Sequence, residues 1–233
     1  MNILLLGATG MIGQGVLGQC LLAPDVNGVT ILGRSSTGVT HPKVKEILHS
    51  DFTNFSTVEQ QLTGHDACFF CLGVSSSGMS EADYTHITYD YTLAFGTALS
   101  RVAPQTVFVY ISGAGTDSTE KGRSMWARVK GKTENALLAL PFEKAYMARP
   151  GYIQPLDGIR SKTGLYRAMY AAMGPLYPVW KRLAPGLVTN TREVGLALLQ
   201  IARNGAPKRV LETSDLAALA NQTTSAAQSH SQS

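Results

Sequence analysis

The sequence predicts an α/β fold in which a parallel sheet is doubly wound, with helices on both faces. Three observations predict it. Short aliphatic runs of strand length alternate with segments of helical period from residue 2 to residue 151. No two-residue hairpin signal joins neighbouring runs, so the strands are expected to be linked by helical crossovers. A glycine-rich turn, GATGMIG at 7–13, stands at the first junction of strand and helix.

The elements follow in order. NILLLG (2–7) is apolar on successive residues, as a strand buried on both faces must be. MIGQGVLGQCLLA (11–23) reads as the first helix, VTILG (29–33) as the second strand and VKEILHS (44–50) as the third. DACFFCLG (66–73) is the fourth strand, and residues 80–103 carry a long helical period. TVFVYIS (106–112) is the fifth strand, and a helix bearing Trp126 and Lys130 follows it. FEKAYMARPG (142–151) is a sixth strand ending in Arg-Pro-Gly. Each crossover is expected to be right-handed.

After Gly151 the character changes: prolines at 155, 175, 178 and 185 punctuate short apolar segments. Residues 151–190 are expected to form a small substrate-side lobe, or lid, on a single domain spanning 1–217. A helix at 191–203 and a short strand at 208–213 close the fold. The tail at 218–233, rich in Ser, Gln, Ala and Thr, is expected to be disordered.

The bulk numbers narrow the function. A chain of 233 residues makes one sizeable domain. The 15% of charged residues is low for a soluble domain, which suits a covered face or simply a surface rich in small residues. A net charge of +4 suits a phosphate-bearing ligand, but no long Lys/Arg run marks a nucleic-acid partner. Cys68 and Cys71 form a C-x-x-C inside an apolar strand, where buried thiols are expected rather than a redox or zinc site. The odd cysteine count and the lack of a signal peptide predict a cytoplasmic protein. No apolar run reaches the roughly 18 residues of a membrane span.

The glycine turn carries the chemistry. Gly7, Gly10 and Gly13 allow a tight turn and a close approach of backbone to a pyrophosphate. Thr9, Met11 and Ile12 lie between them, where the first N–H groups of the helix point at the anion. Arg34 follows the second strand, in GRSSTG, where an NAD-binding protein would usually place an acid for the ribose hydroxyls. A guanidinium aided by Ser35 and Ser36 suits a 2′-phosphate, so NADP(H) is favoured over NAD(H).

Together the glycine loop and the Arg-Pro-Gly at 149–151 resemble the short-chain dehydrogenase/reductase superfamily, in its atypical branch with a G-x-x-G-x-x-G loop. The resemblance covers residues 1–213 and implies a Rossmann-like fold. It implies that Asp51 and Phe52 lie near the adenine, and that Leu72 and Gly73 border the adenine ribose. Ser112 would stand near the nicotinamide ribose and Lys130 would hydrogen-bond it. Pro150, Gly151 and Tyr152 would pass the carboxamide. Each has a plainer alternative: Asp51 as a turn cap, Lys130 as a solvated helix residue, Pro150–Gly151 as a strand terminator.

The pattern breaks where the chemistry should be. The superfamily uses Y-x-x-x-K, with a Tyr hydroxyl as acid or base and a Lys that lowers its pKa. Here the helix reads Trp126-Ala-Arg-Val-Lys130, and an indole N–H has no accessible pKa. Ser112 falls one residue early, leaving Gly113 where the second hydroxyl normally stands. Tyr177-Pro-Val-Trp-Lys181 matches the motif only in the Pro-broken region, where Pro178 argues against an undisturbed turn. The aromatic, apolar stretch at 165–186 is expected to be a hydrophobic lid, with a dimer face or a membrane-surface helix as alternatives.

Three functions are consistent with these residues. The first is an NADP(H)-binding regulator or scaffold with a degraded Tyr/Ser pair. The second is an NADPH-dependent reductase or isomerase of a small apolar carbonyl, its proton coming from water, Tyr152 or the substrate. A nucleotide-sugar epimerase fits worst, because reversible oxidation of a hydroxyl needs a base. The partner is a small molecule or a protein, and the chain a monomer or homodimer.

Overall fold

A computed structural model describes residues 1–159, 177–184 and 186–230. Its centre is a seven-stranded, wholly parallel sheet in the order β3-β2-β1-β4-β5-β6-β9. The strands are β1 (Asn2–Leu6), β2 (Gly28–Gly33), β3 (Val44–Leu48), β4 (Ala67–Phe70), β5 (Val107–Ile111), β6 (Ala145–Arg149) and β9 (Val210–Glu212). The continuous apolar runs are explained by burial on both faces. Along β1, Ile3 and Leu5 enter one core while Leu4 and Leu6 enter the other, as the two-residue period of a strand requires.

Helix α1 (Met11–Leu22) covers the first face, together with two C-terminal helices, α6 (Thr191–Asn204) and α7 (Thr213–His230). Helices α3 (Tyr91–Val102) and α4 (Met125–Ala139) cover the second, through Phe95, Leu99 and Leu137. The small helix α2 (Glu81–Thr85) leads into α3 through one π-helical stretch, His86–Asp90, so the long helical period at 80–103 contains a local widening. Ser80 caps its start, accepting from the Asp83 N–H.

Beyond β6 the chain leaves the main sheet. The sixth strand ends at Arg149, and β7 (Tyr152–Gln154) pairs instead with β8 (Val188–Asn190) in a separate parallel pair. The small helix α5 (Tyr177–Leu183) precedes β8. Part of the expected lid, 160–176 and Pro185, lies outside the described residues.

From Ala218 the backbone continues helix α7 to His230. Leu216, Leu219 and Ala220 form an i, i+3, i+4 stripe that is buried against the first core. A polar composition hid that stripe.

Cys68 is wholly buried in β4, and Cys71 follows it; burial pushes both thiols up, as expected of inert residues. Among the described residues no cluster of metal-ligating side chains occurs, and no helix is long and apolar enough to cross a membrane.

Candidate functional site

A parallel sheet presents the carboxyl ends of its strands along one edge, and ligands bind outside that edge where the strand order reverses. Here the order turns between β1 and β4. The sequence-predicted residues fall along this edge: Gly7–Gly13 after β1, Arg34 and Ser35 after β2, Asp51 and Phe52 after β3. Leu72 and Gly73 follow β4, Ser112 follows β5, and Pro150, Gly151 and Tyr152 follow β6.

The glycine turn is built by packing. Gly7 adopts φ +78°, and a Cβ there would lie 2.5 Å from the Cys71 carbonyl carbon. A Cβ on Gly13 would lie 2.1 Å from the Gly7 oxygen. No larger residue fits either place. Gly10 is the N-cap of α1 and donates its N–H to Gly7 O at 2.9 Å. It supplies no side-chain cap, and the first turn holds no acid, so the opening N–H groups are left for an anion. Gln14 Nε2 steadies the turn through Thr9 O, at 3.1 Å.

A cavity of about 530 Å3 adjoins this turn, lined among others by Thr9, Gln14, Ser35, Ser36 and Thr37. Arg34, at its margin in sequence, is exposed and has no ion-pair partner among the described residues. The loop it belongs to is pinned to β3: Glu46 accepts from the Thr37 N–H at 2.8 Å. Hydrogen bonds from Ser36 and Thr37 hold the Glu46 carboxyl below its usual range. A pyrophosphate-bearing dinucleotide therefore fits the residues present. A larger depression, about 580 Å3, lies across α3 between Asn54 and Arg101 and includes none of the predicted residues.

Asp51 and Phe52 follow β3. Asp51 behaves as a turn cap, its Oδ1 accepting from the Thr53 N–H at 2.9 Å and from the Thr53 hydroxyl, which holds its carboxyl below the usual range. Phe52 is not an open contact. Its side chain is 3% exposed, with its ring edge-on to Phe55 at 5.6 Å, so only its backbone remains for a ligand. Gly73, by contrast, has open space where a Cβ would stand.

At the other end Ser112 is already committed. Its hydroxyl donates to Glu134, which is 1% exposed and forms an ion pair with Arg149. Arg149 Nε lies 3.0 Å from Glu134 Oε1, and its other nitrogens reach Glu212 at 3.2 Å and the Ser118 hydroxyl at 2.6 Å. Sequence reasoning missed Glu134 and the side chain of Arg149. The available signal was a Glu four residues after Lys130, on the same helical face, and an Arg closing an apolar strand.

Lys130 is not a solvated helix residue. Its ammonium donates to the Tyr110 hydroxyl at 3.5 Å and lies 5.3 Å from that ring's centroid. Burial pulls its pKa down to about 8, with Glu134 opposing. Trp126 sits one turn earlier, its ring 3.4 Å from the place of a Cβ on Gly115. Tyr110 cannot replace the missing phenol: it is 1% exposed, and burial pushes its hydroxyl pKa well up. Tyr152 donates to Gln154 Oε1 at 2.8 Å and is pushed up by burial and by nearby Tyr177. The Tyr177–Lys181 match is structural, since Lys181 pairs with Glu193 at 2.6 Å and Tyr177 accepts from Asn190 at 2.9 Å.

No protein-family model matches the chain. It is 29% identical over 159 residues to the mitochondrial protein Fmp52 of Emericella nidulans, a match covering 65% of this chain and 66% of that one. It is 24% identical over 154 residues to HTATIP2 of Rattus norvegicus, covering 65% and 62%. The match thus spans just under two-thirds of these relatives' length. Among solved structures, the enzyme WbmF of Bordetella bronchiseptica, crystallised with NAD+ and UDP, superposes with a TM-score of 0.64 at 18% identity, over 96% of this chain and 77% of that one. A short-chain dehydrogenase/reductase of Saccharomyces cerevisiae gives 0.63 at 15% identity, over 94% and 98%. The Fmp52 proteins are named mitochondrial, which overturns the expectation of a cytoplasmic protein. The likeness shows a Rossmann-type α/β fold, shared with solved structures that include a short-chain dehydrogenase/reductase and a UDP-glucose 4-epimerase.

Proposed function

We propose that the chain binds NADP(H) across the carboxyl edge of its sheet and works as a cofactor-dependent regulator or scaffold, without the Tyr/Ser acid–base pair. The N–H groups of Met11, Ile12 and Gly13 would hold the pyrophosphate, and Arg34 with Ser35 the 2′-phosphate. Leu72 and Gly73 would border the adenine ribose, and Pro150 and Gly151 would line the nicotinamide. Lys130 would turn its ammonium from Tyr110 to a ribose hydroxyl. When bound, NADPH supplies a hydride. Trp126 and Gly113 offer no hydroxyl to move the accompanying proton.

One observation carries this reading: the Ser112 hydroxyl is spent on Glu134, and no hydroxyl stands at position 126. NADP(H) is preferred to NAD(H) on the strength of Arg34, exposed and without an ion-pair partner among the described residues. The relatives' names support a mitochondrial location. The test pairs binding with turnover. NADPH is titrated into the chain, and its oxidation is then followed against a panel of small aldehydes, ketones and enones. Tight binding with no oxidation is expected; steady oxidation with any member would overturn the regulator.

A second reading is favoured by the phenol of Tyr152, which directly follows Gly151 and has Tyr177 near enough to help raise its hydroxyl pKa. There the chain is an NADPH-dependent reductase of a small apolar carbonyl, with residues 151–190 as lid and a phenol of that lobe as proton donor. A Tyr152→Phe substitution that abolishes measured turnover would support it.

A further inference from the structure

The loop joining β5 to α4 is strapped to the helix it precedes. The Asp117 carbonyl sits so close to α4 that a Cβ on Gly131 would lie 1.8 Å from its oxygen. The Asp117 N–H donates to Ala127 O at 3.0 Å, and Asn135 Nδ2 donates to Ser118 O at 3.0 Å. The Ser118 hydroxyl then accepts from Arg149 Nη2 at 2.6 Å.

Arg149 is the hub of this corner. It closes β6 immediately before Pro150 and Gly151, and it is 9% exposed. Its nitrogens reach Glu134 on α4, Glu212 on β9 and Ser118 in the loop. The Gly151 N–H donates to Thr213 Oγ1 at 2.8 Å, and the Thr213 hydroxyl lies 3.3 Å from Arg149 O. A planar fork with donors on three nitrogens can grip one carboxylate bidentately and still reach two other partners, which the single nitrogen of an ammonium cannot span. Among the described residues, none of the side-chain hydrogen bonds of Arg149 reaches the β1, β2, β3 or β4 loops of the adenine end.

We propose that Arg149, with Glu134 as counter-ion and Ser112 as strut, is a positioning residue for the nicotinamide half of the dinucleotide site. It holds the Pro150–Gly151 turn and the β5 loop as one rigid wall. This rests on the NADP(H) site proposed above. It also gives the Ser112 hydroxyl a task, bracing Glu134.

The test compares two ligands on the full chain: NADPH, and 2′,5′-ADP, which fills only the adenine half. Ser118→Ala cuts the strap at an exposed residue and leaves no buried charge unpartnered, so it folds whatever the fate of Arg149→Lys. Loss of one hydrogen bond to a charged group is expected to weaken NADPH about fivefold or more in Ser118→Ala. Arg149→Lys should weaken it further. Both variants should hold 2′,5′-ADP within about twofold of the unaltered chain, since the adenine end shares no bond with Arg149. The emission of bound NADPH should shift toward that of the free cofactor in Arg149→Lys. Equal losses for both ligands, or unchanged NADPH affinity in both variants, would overturn the positioning role and leave the nucleotide site standing. An unaltered chain that binds neither ligand removes the nucleotide site and this role with it.

Discussion

The Lys130 ammonium rests 3.5 Å from the Tyr110 hydroxyl, in a part-buried position. Burial there lowers its pKa from the ordinary lysine value of 10.5 to about 8. Between these values the unfolded chain binds more protons than the folded one, so stability rises with pH across that window. Below about pH 8 both states are protonated and the burial penalty is present in full. Urea unfolding of the unaltered chain and of Lys130→Met, at several pH values, checks this. The unaltered chain should gain on the variant as pH rises from 8 to 10.5. Parallel profiles would contradict the buried ammonium.

Trp126 and Gly113 stand where the expected Tyr/Ser pair is missing, and the structure leaves room for a side chain at the second. A Cβ on Gly113 meets nothing within 4 Å, so a serine fits. Trp126→Tyr alone is expected to leave carbonyl reduction at background, because Ser112 stays with Glu134. Gly113→Ser combined with Trp126→Tyr should raise NADPH-dependent reduction of small carbonyls by on the order of a hundredfold, the usual worth of a positioned acid. Steady-state assays of the three chains decide it. If Trp126→Tyr abolishes an activity already present, the chain has its own acid and the regulator is the poorer account.

The glycine loop should tolerate no enlargement at its last position. Gly13→Ala drives a methyl to 2.1 Å from the Gly7 oxygen, a backbone atom that cannot step aside cheaply. Thermal unfolding is expected to show a loss of about 2 kcal/mol or more, as overpacking does. Gly18→Ala, on the same helix but with open space at its Cβ, is the control and should leave stability unchanged or raise it. Equal melting of Gly13→Ala and the control would mean that the turn is looser than described.

Arg34 should set the choice of cofactor. Arg34→Ala removes the charge-assisted bonds available to a 2′-phosphate and is expected to weaken NADPH about tenfold or more. NADH, which lacks that phosphate, should change by less than about threefold. Fluorescence titration of both cofactors measures the two effects. A matched loss would place Arg34 outside the 2′-phosphate subsite.

The sheet and the order of its loops were legible because burial on both faces writes continuous apolar runs, as in residues 2–6 and 107–111. Gly7 and Gly13 were legible because a turn that excludes Cβ leaves a residue type behind. The corner formed by Ser112, Glu134, Arg149 and Glu212 was hidden, since its members are up to 100 residues apart in sequence, Ser112 to Glu212, and meet only where three strands and a helix converge. The burial of the Phe52 side chain was hidden for a related reason. An aromatic residue after a strand looks the same whether it faces a base or its neighbours Phe55 and Tyr91. The C-terminal helix was concealed by composition, its buried stripe being only Leu216, Leu219 and Ala220.

The central claim is a bound NADP(H) without the usual acid–base pair, and one calorimetric experiment addresses it most directly. NADPH and NADH are titrated separately into the full unaltered chain, and the cofactor is recovered afterwards in the presence of the carbonyl panel. A single site, NADPH bound more tightly than NADH, and cofactor recovered unoxidised are the expected result. No binding of either nucleotide, or prompt oxidation of NADPH by a panel member, would contradict it.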